Sequence, residues 1–475
     1  MAPNKSISRR RIVKGMIATG AAAGLAGCSG NGGSGGNGSS GEGSSGDSDG
    51  DSNTDTSSDG GSNTDTSGEA EGVEFTAWSF GPNLTPLQEA VEAWESPHTV
   101  TPKEIDGGIE PWTSALQVQS GLPGYGLIQY PAFRSAARSG GLENVNDVIG
   151  PNIDQLIDSA ISATHVDGNF FGFPHSINPV TLIYNKSMFE DAGLPGNPDD
   201  LEDEIQVYDD LASAGEQMQS EIGADLLAHG ASNVRLPNAL VISQYGGGFY
   251  NSDGEFEFNQ QANIDAMQTL KDLQPYGADL DLFGNVIWEE FKQENIASFL
   301  VPGWYINFIR DNLPDMSGQF RMAQLPAPES GGARGATAGG APETIPVAKE
   351  NNIKAAAKEF GEYRTFSEES YNQKLRNFIF PANIVEDVPV LEEEIDFFSG
   401  QQIFQKVQST LEVAPPQDSA PSQEVDSMFQ EAYRQIMAED APIEGTLTST
   451  HEQMIQAVDE EDQSRMTVEE VKNSF

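Results

Sequence analysis

From Val73 onward the sequence switches repeatedly between two hydrophobic periods, and that alternation restricts the fold more than any other feature. "VEFTAW" puts Val73, Phe75 and Ala77 on one side of an extended segment and Glu74 and Thr76 on the other, the period of a half-buried strand. After the loop "SFGPN" comes "TPLQEAVEAW", where Leu84, Leu87, Val91 and Trp94 recur at helical spacing. Thr85 fits an N-cap, Pro86 the first helical position and Gln88 the far end of a capping box. Strand-then-helix order returns in "YGLIQY" before "PAFRSAARSGG", in "VTLIYN" before "KSMFEDAG" with Gly193 as C-cap, and in "IASFLV" before "GWYINFIRD". "NIDAMQTLKDL" is a further amphipathic helix. Such repetition over residues 73–475 predicts an α/β fold with largely parallel sheets, and the length favours two lobes.

The preceding residues obey no such period. Residues 29–71 are almost all Gly, Ser, Asn, Asp, Thr and Glu, and "SNTDTS" occurs at 52–57 and again at 62–67. Too little apolar surface is present to offset the entropy of ordering, so this stretch reads as a flexible, charged tether. The aspartates from Asp47 approach a calcium-loop spacing, but Ser52 stands at the turn glycine and Ser58 at the bidentate glutamate. Further upstream, "SRRRIVK" resembles the twin-arginine export motif through Ser8, Arg9, Arg10, Ile12, Val13 and Lys14. "LAGC" at 25–28 resembles a lipobox. On that reading 1–27 is a signal peptide, Cys28 the lipidated first residue of the mature chain, and 28–72 the tether. The other reading is an ordinary signal peptide followed by a free or buried cysteine. "IVKGMIATGAAAGLAG" is too short and too weakly apolar for a stable membrane span. Cys28 is the chain's single cysteine, which excludes an intramolecular disulfide and a multi-thiolate metal site.

Charge narrows the partners. The chain holds 73 acidic against 25 basic residues, a formal net of −48. Residues 1–71 contribute only 9 of the acids and 5 of the bases, so the load sits on the remaining sequence. Such a surface repels nucleic acid and anionic lipid. It strains the fold at low ionic strength, whereas near 1 M salt the Debye length is about 3 Å and the repulsion is screened. The balance suggests a protein built for molar salt, as in halophilic archaea.

Enzyme signatures are sparse. Among His98, His165, His175, His229 and His451 none forms a paired metal-ligand motif, and "HEQMI" at 451 lacks the second histidine of a zinc helix. No G-x-S-x-G elbow occurs from Val73 onward, no Walker loop occurs, and "GLPGYG" has its glycines in the wrong order for a dinucleotide site. What the sequence does supply is aromatic and glycine-rich loops at strand ends: "WSFGPN", "QYP", "PGWYIN" and "TAGGAP". In open α/β sheets the ligand crevice lies at the carboxyl ends of strands. Rings there stack on sugar C–H faces, while amides and backbone N–H groups satisfy hydroxyls.

The order of motifs resembles the family 1 extracellular solute-binding proteins of ABC importers, the group that includes maltose-binding protein. "DGNFFGFPHSINPVTLIYNKSMFEDAGL" (167–194) carries the resemblance through Asp167, Gly168, Gly172, Pro174, Leu182, Tyr184, Asn185, Lys186, Phe189, Ala192, Gly193 and Leu194. "LVPGWYI" (300–306) looks like the family's G-x-W element, residues 323–370 resemble its "LPAP…GG…IPK" stretch, and "IFPANIVEDVPVL" its later proline segment. The chain departs from the pattern at Gly124, where an acid is usual, and in "GNPDDLEDEI", which lacks the usual tryptophan.

The resemblance implies a two-lobed, periplasmic-binding-protein-like fold of type II. Its lobes would be joined by crossings at "FPHSINPV", "FLVPG" and "GGAPETIP", with 73–177 plus 302–343 in the first lobe and 178–301 plus 344–475 in the second. It further implies a monomer without cofactor, metal or catalysis, lipid-anchored at the extracellular face. Such a protein captures a sugar or oligosaccharide and passes it to the transmembrane permease. Ligand contacts are expected from Trp78 and Trp304, then Tyr130 and Tyr305, with Asn83, Gln129, Asn178 and the backbone of Gly339 and Gly340 as polar groups. Trp288 either reaches the cleft or caps a helix, His175 is structural and Tyr184 is core. A glycerol-phosphate or polyol ligand is the alternative. A phosphate wants cations or helix N-termini, and Arg310 and Arg334 are the nearest bases. A surface carbohydrate-active enzyme with two carboxylates is the third reading.

Overall fold

The computed structural model describes residues 72–229, 242–383, 388–415, 420–459 and 462–475. Arg9, Arg10, Cys28 and residues 28–71 of the tether lie outside the described residues. Eleven strands are found among the latter: β1 Glu74–Ser79, β2 Thr99–Glu104, β3 Tyr125–Leu127, β4 His165–Val166, β5 Asn169–Phe170, β6 Phe173–Asn185, β7 Asp225–His229, β8 Gly277–Asp279, β9 Ile296–Pro302, β10 Phe320–Ala323 and β11 Thr337–Thr344. Nine of them form one sheet in the order β2-β1-β3-β11-β6-β9-β7-β8, with β10 also on β6. β4 and β5 form a separate hairpin, turned by Asp167 at φ 53° and Gly168 at φ 72°. An Asp-Gly pair suits a turn with both central residues at positive φ.

β6 organises the whole. Its first half pairs with β11, from Phe173↔Glu343 to Pro179↔Thr337, and its second half pairs with β9 from Val180 and with β10 from Leu182. The handover falls at Pro179, which lacks the N–H needed to continue a ladder. In the second half, Leu182 and Tyr184 enter one apolar cluster with Phe189, Leu211 and Met267, while Ile183 enters another with Phe291, Phe299 and Ile306. A strand buried on both faces reads as a continuous apolar run, hence "VTLIY". Around β1 and β3 the core is different: Phe75, Leu87, Tyr125, Phe173 and Phe360. These two halves of the sheet, each covered by helices, are the two lobes.

Three expectations need correction. The sheet is mixed: β1 is parallel to β2 and β3, and β7 to β8 and β9, but every pairing of β6 and β11 is antiparallel. Alternating strand and helix patterns cannot reveal strands shared between lobes. The lobe boundaries also differ. The helix Tyr305–Asn312 and β10 pack in the second half, whereas Ile345, Ala356, Phe360 and Val471 pack in the first. "FLVPG" is therefore no crossing. Gly303 N–H donates to Pro179 O at 2.9 Å, and a side chain on Gly303 would collide with the Phe380 ring, so the chain turns back over its own sheet. Finally, the first helix spans Leu84–Ala93 with Asn83 at its N-cap rather than Thr85, because a 3₁₀ turn over Gly81–Asn83 runs straight into it.

A buried polar cluster ties β6 and β11 to the helices behind them. Glu343 accepts from Arg364 Nη2 at 2.8 Å and from the Tyr125 hydroxyl at 2.8 Å, and Arg364 Nη1 donates to Pro86 O at 2.8 Å. Lys374 Nζ donates to His175 O at 2.9 Å and Arg364 O at 2.8 Å. Burial raises the Glu343 carboxyl, but Arg364 and His175 outweigh that and hold it well below the usual range. Burial lowers Lys374 to about 7 and His175 to about 4.

Two expectations can be measured. A Cβ on Gly340 would overlap the Ser176 carbonyl oxygen across the β6–β11 ladder, so Gly340→Ala should lose about 2–3 kcal/mol in equilibrium denaturation. An unfolded histidine titrates at 6.5 while folded His175 waits until about 4. Between those values only the unfolded chain binds the proton, so stability rises with pH across this window and is lost on acidification. Comparing urea midpoints at pH 7 and pH 4, His175→Gln should remove roughly 3 kcal/mol of that dependence.

Candidate functional site

Strand ends and turns from both halves of the sheet enclose a cavity of about 470 Å³, within the usual range for small-molecule sites. β1 runs into Phe80 and then the turn Gly81–Asn83, with Gly81 at φ 53°. β3 delivers Gln129 and Tyr130 at the start of the helix Tyr130–Arg138. Ser176 and Asn178 come from β6, and Ala338 to Ala341 from β11. Gly339 adopts φ 67° at a register shift between Thr337 and Gly340. A backbone kink of this kind needs glycine, and it turns main-chain edges toward the cavity.

The opposite wall is aromatic. Trp304 and Phe283 are parallel to within 4° with centroids 6.0 Å apart, and Phe308 stands edge-on to both. Deeper in, Phe249 and Phe258 stack at 5.7 Å, and Phe429 meets each at right angles. Phe283 is 48% exposed while Phe249 and Phe258 are nearly buried, so the first cluster is the more open of the two.

Of the expected ligand contacts, Asn83, Gln129, Tyr130, Asn178, Trp304, Gly339 and Gly340 line this cavity. Trp78 and Tyr305 do not. Trp78, 7% exposed, packs edge-on against Trp112 at 5.5 Å, with Lys103 Nζ 5.6 Å from its ring. Trp78 packs into the cluster of Trp112, Leu116 and Phe133, and Phe80, just beyond the strand's end, takes the cavity position. Tyr305 is fully buried and its hydroxyl donates to Leu282 O. It follows Trp304 at the helix start, where one residue's rotation turns it from cavity to core. Trp288 is buried against Tyr305 inside the helix Val286–Lys292, neither in the cavity nor at a cap.

Sequence reasoning missed Phe80, Phe283, Phe308, Phe249, Phe258, Phe429 and Asp426. Two had a signal: Phe80 lies inside "WSFGPN", and Phe308 sits one helical turn after Trp304. The others arrive from segments far apart in the chain.

The cavity is nearly uncharged. Among its described lining residues Asp426 is the one ionisable carboxylate and no lysine, arginine or histidine appears; Asp426 Oδ2 accepts from Gln430 at 2.7 Å. Arg310 is held by Asn307 and Asp311 and lies 5.4 Å from the Phe378 ring. Arg334 is spent on the carbonyls of Leu325, Glu202 and Ile205. Asn83 Oδ1 meets His175 Nε2 at 3.1 Å. The Tyr130 hydroxyl is buried beside the Gly340 backbone, and burial raises its pKa. No cluster of three or more potential metal ligands is found among the described residues. Flat rings, neutral amides and open backbone edges suit a neutral, hydroxylated molecule with apolar faces.

Comparison with known proteins agrees with this geometry. The family model for bacterial extracellular solute-binding proteins matches residues 114–383. An arabinooligosaccharide-binding protein of Halalkalibacterium halodurans is 30% identical over 354 residues, 70% of this chain and 77% of that protein. One from Bacillus subtilis is 25% identical over 323 residues, covering 65% and 72%. Among solved structures, the galacto-N-biose/lacto-N-biose I-binding protein of a Bifidobacterium longum ABC transporter, in complex with lacto-N-biose, superposes with TM-score 0.68 at 15% identity. That match covers 84% of this chain and 100% of its own. The ABC transporter associated binding protein of B. animalis subsp. lactis, in complex with β-1,6-galactobiose, gives TM-score 0.65 at 18% identity over 81% and 97%. The mixed sheet divided at β6, the cavity between its halves and these matches together establish that the chain belongs to the bacterial extracellular solute-binding proteins.

Proposed function

We propose that the protein is the substrate-binding lipoprotein of an ABC importer and captures a neutral oligosaccharide, best an arabinose-containing one, for delivery to the membrane permease. The observation that carries this reading is the cavity itself. The parallel Phe283 and Trp304 rings offer stacking faces, and Asn83, Gln129, Asn178 and Tyr130 offer hydrogen bonds without net charge. Two relatives named for arabinooligosaccharides supply the sugar class. Ligand would favour the closed arrangement of the lobes by its contacts to both walls, and the closed form would dock on the permease.

A phosphate-bearing ligand is disfavoured because Arg310 and Arg334 are engaged elsewhere. Hydrolysis by two carboxylates is disfavoured because Asp426 stands alone among the described lining residues. Lipidation at Cys28 and twin-arginine export of the folded chain complete the scheme. The tether then holds the binding domain away from the membrane, and no helix among the described residues is long and apolar enough to span one. The net charge of −48 favours operation in molar salt.

Isothermal titration in 2 M salt against arabinotriose, maltotriose and glycerol 3-phosphate tests the ligand. Arabinotriose should bind with Kd on the order of 1 μM, and Trp304→Ala should weaken it at least about tenfold. Binding of glycerol 3-phosphate alone, or release of arabinose on incubation, would overturn the reading. Raising salt from 0.1 to 2 M should raise the melting temperature; a fall would contradict the halophilic part of it.

A further inference from the structure

The geometry points to His175 as a positioning residue that fixes Asn83 as a hydrogen-bond donor to the bound ligand, an inference that rests on the cavity being the ligand site argued above. Asn83 lines the cavity, but both ends of its carboxamide already have neighbours. Oδ1 lies 3.1 Å from His175 Nε2, and Nδ2 lies 3.3 Å from Phe80 O. A carboxamide can be turned over with almost no change of shape, so which end faces the ligand is decided by the groups behind it.

Those groups favour one arrangement. His175 Nδ1 faces Arg364 Nη2 at 3.3 Å, and a guanidinium donates but cannot accept. Nδ1 must therefore present its lone pair, which puts the ring proton on Nε2. The Nε2–H then donates to Asn83 Oδ1. The amide nitrogen is left with one N–H for Phe80 O and the other for a ligand oxygen.

The opposite tautomer has a possible acceptor, since Glu343 Oε1 lies 3.4 Å from Nδ1. That oxygen already takes Arg364 at 2.8 Å, and its partner oxygen takes Tyr125 at 2.8 Å. Protonating Nδ1 would send its N–H to Oε1, which can accept a second bond, but would also turn it toward the Arg364 Nη2–H and take from Arg364 the lone pair it faces at 3.3 Å. It would also turn Asn83 over, setting Oδ1 against the Phe80 carbonyl, acceptor against acceptor. The titratable groups around the ring are Glu343 on β11 and Arg364 and Lys374 on the helices behind. Burial, with Arg364 and Lys374 at hand, keeps the ring neutral at physiological pH.

The relay therefore runs from Glu343 through Arg364 and His175 to Asn83, from the buried core to the cavity wall. Asn83 reads an acceptor lone pair on the ligand, such as a ring, glycosidic or hydroxyl oxygen.

Two measurements on the full chain in molar salt test this. ¹⁵N spectra of the His175 ring in ligand-free protein at pH 7 should show Nε2 protonated and Nδ1 bare; a proton on Nδ1, or on both, would overturn the proposal. Arabinotriose affinity should then be measured for the wild type, His175→Gln, His175→Met, Asn83→Ala and the double variant His175→Met/Asn83→Ala. His175→Met should weaken binding about tenfold alone but less than about twofold in the Asn83→Ala background. His175→Gln, which keeps an N–H near the Nε2 position, should recover most of the loss. Melting temperatures should fall equally in both backgrounds. Equal affinity losses in both would show that His175 supports the fold without acting through Asn83. If the wild type binds no sugar, the functional reading fails and the ring tautomer alone decides this one.

Discussion

Arg364 and Glu343 are both almost fully buried, and neither charge is tolerable there without the other. Removing one partner of such a pair costs about 3–5 kcal/mol, since the survivor is left charged in a dry interior. Here the pair does more than neutralise itself. Glu343 belongs to β11, which runs along the first half of β6, and Arg364 reaches from the helix Asn351–Phe366 to the backbone of Pro86 at the start of the first helix. Lys374 adds a bond to the backbone of β6 at His175. The cluster therefore pins the crossing strands to the first lobe, and every cavity residue carried by those strands inherits its position from it.

The cavity follows from that arrangement with little extra design. Strand β6 continues across the division, and β11 follows it as far as Pro179. Their middle residues are left with backbone edges and small side chains, Ser176, Asn178 and Ala338 to Ala341, facing the gap. Aromatic side chains from the second lobe cover the other wall. Both walls carry groups that can touch one molecule, the amides and backbone edges mostly on the first and the aromatic clusters on the second, so a ligand touching both has more contacts when the gap narrows. Contacts to both walls are what favour the closed arrangement.

Much of the fold was readable from local pattern. The strand–helix units at Glu74–Ala93 and Phe173–Asp191 appear where the hydrophobic period and Gly193 place them, the first helix starting one residue before the expected cap at Thr85. What local pattern could not reveal was which lobe a segment joins. Position 303 must be glycine because Phe380, far along the sequence, occupies the space a side chain would need. Likewise β11 reads as "TAGGAP", poor in strand formers, and becomes a strand because β6 offers it a ladder. Tertiary pairing overrode propensity there.

The site was legible to the same degree and for the same reason. Asn83, Gln129 and Asn178 were identifiable because amides at strand ends and crossings have few other reasons to be there. Trp78 and Tyr305 misled because a ring in a glycine-rich loop is equally good core, and a rotation of one residue decides which it becomes. Phe249, Phe258 and Phe429 meet only through long-range packing and left no local trace. Least visible of all was His175. On sequence it is one buried residue in an extended crossing, and its meaning comes from what stands on either side of the ring. A guanidinium on one nitrogen and a cavity amide on the other turn a structural histidine into the link between the core charge cluster and the ligand wall.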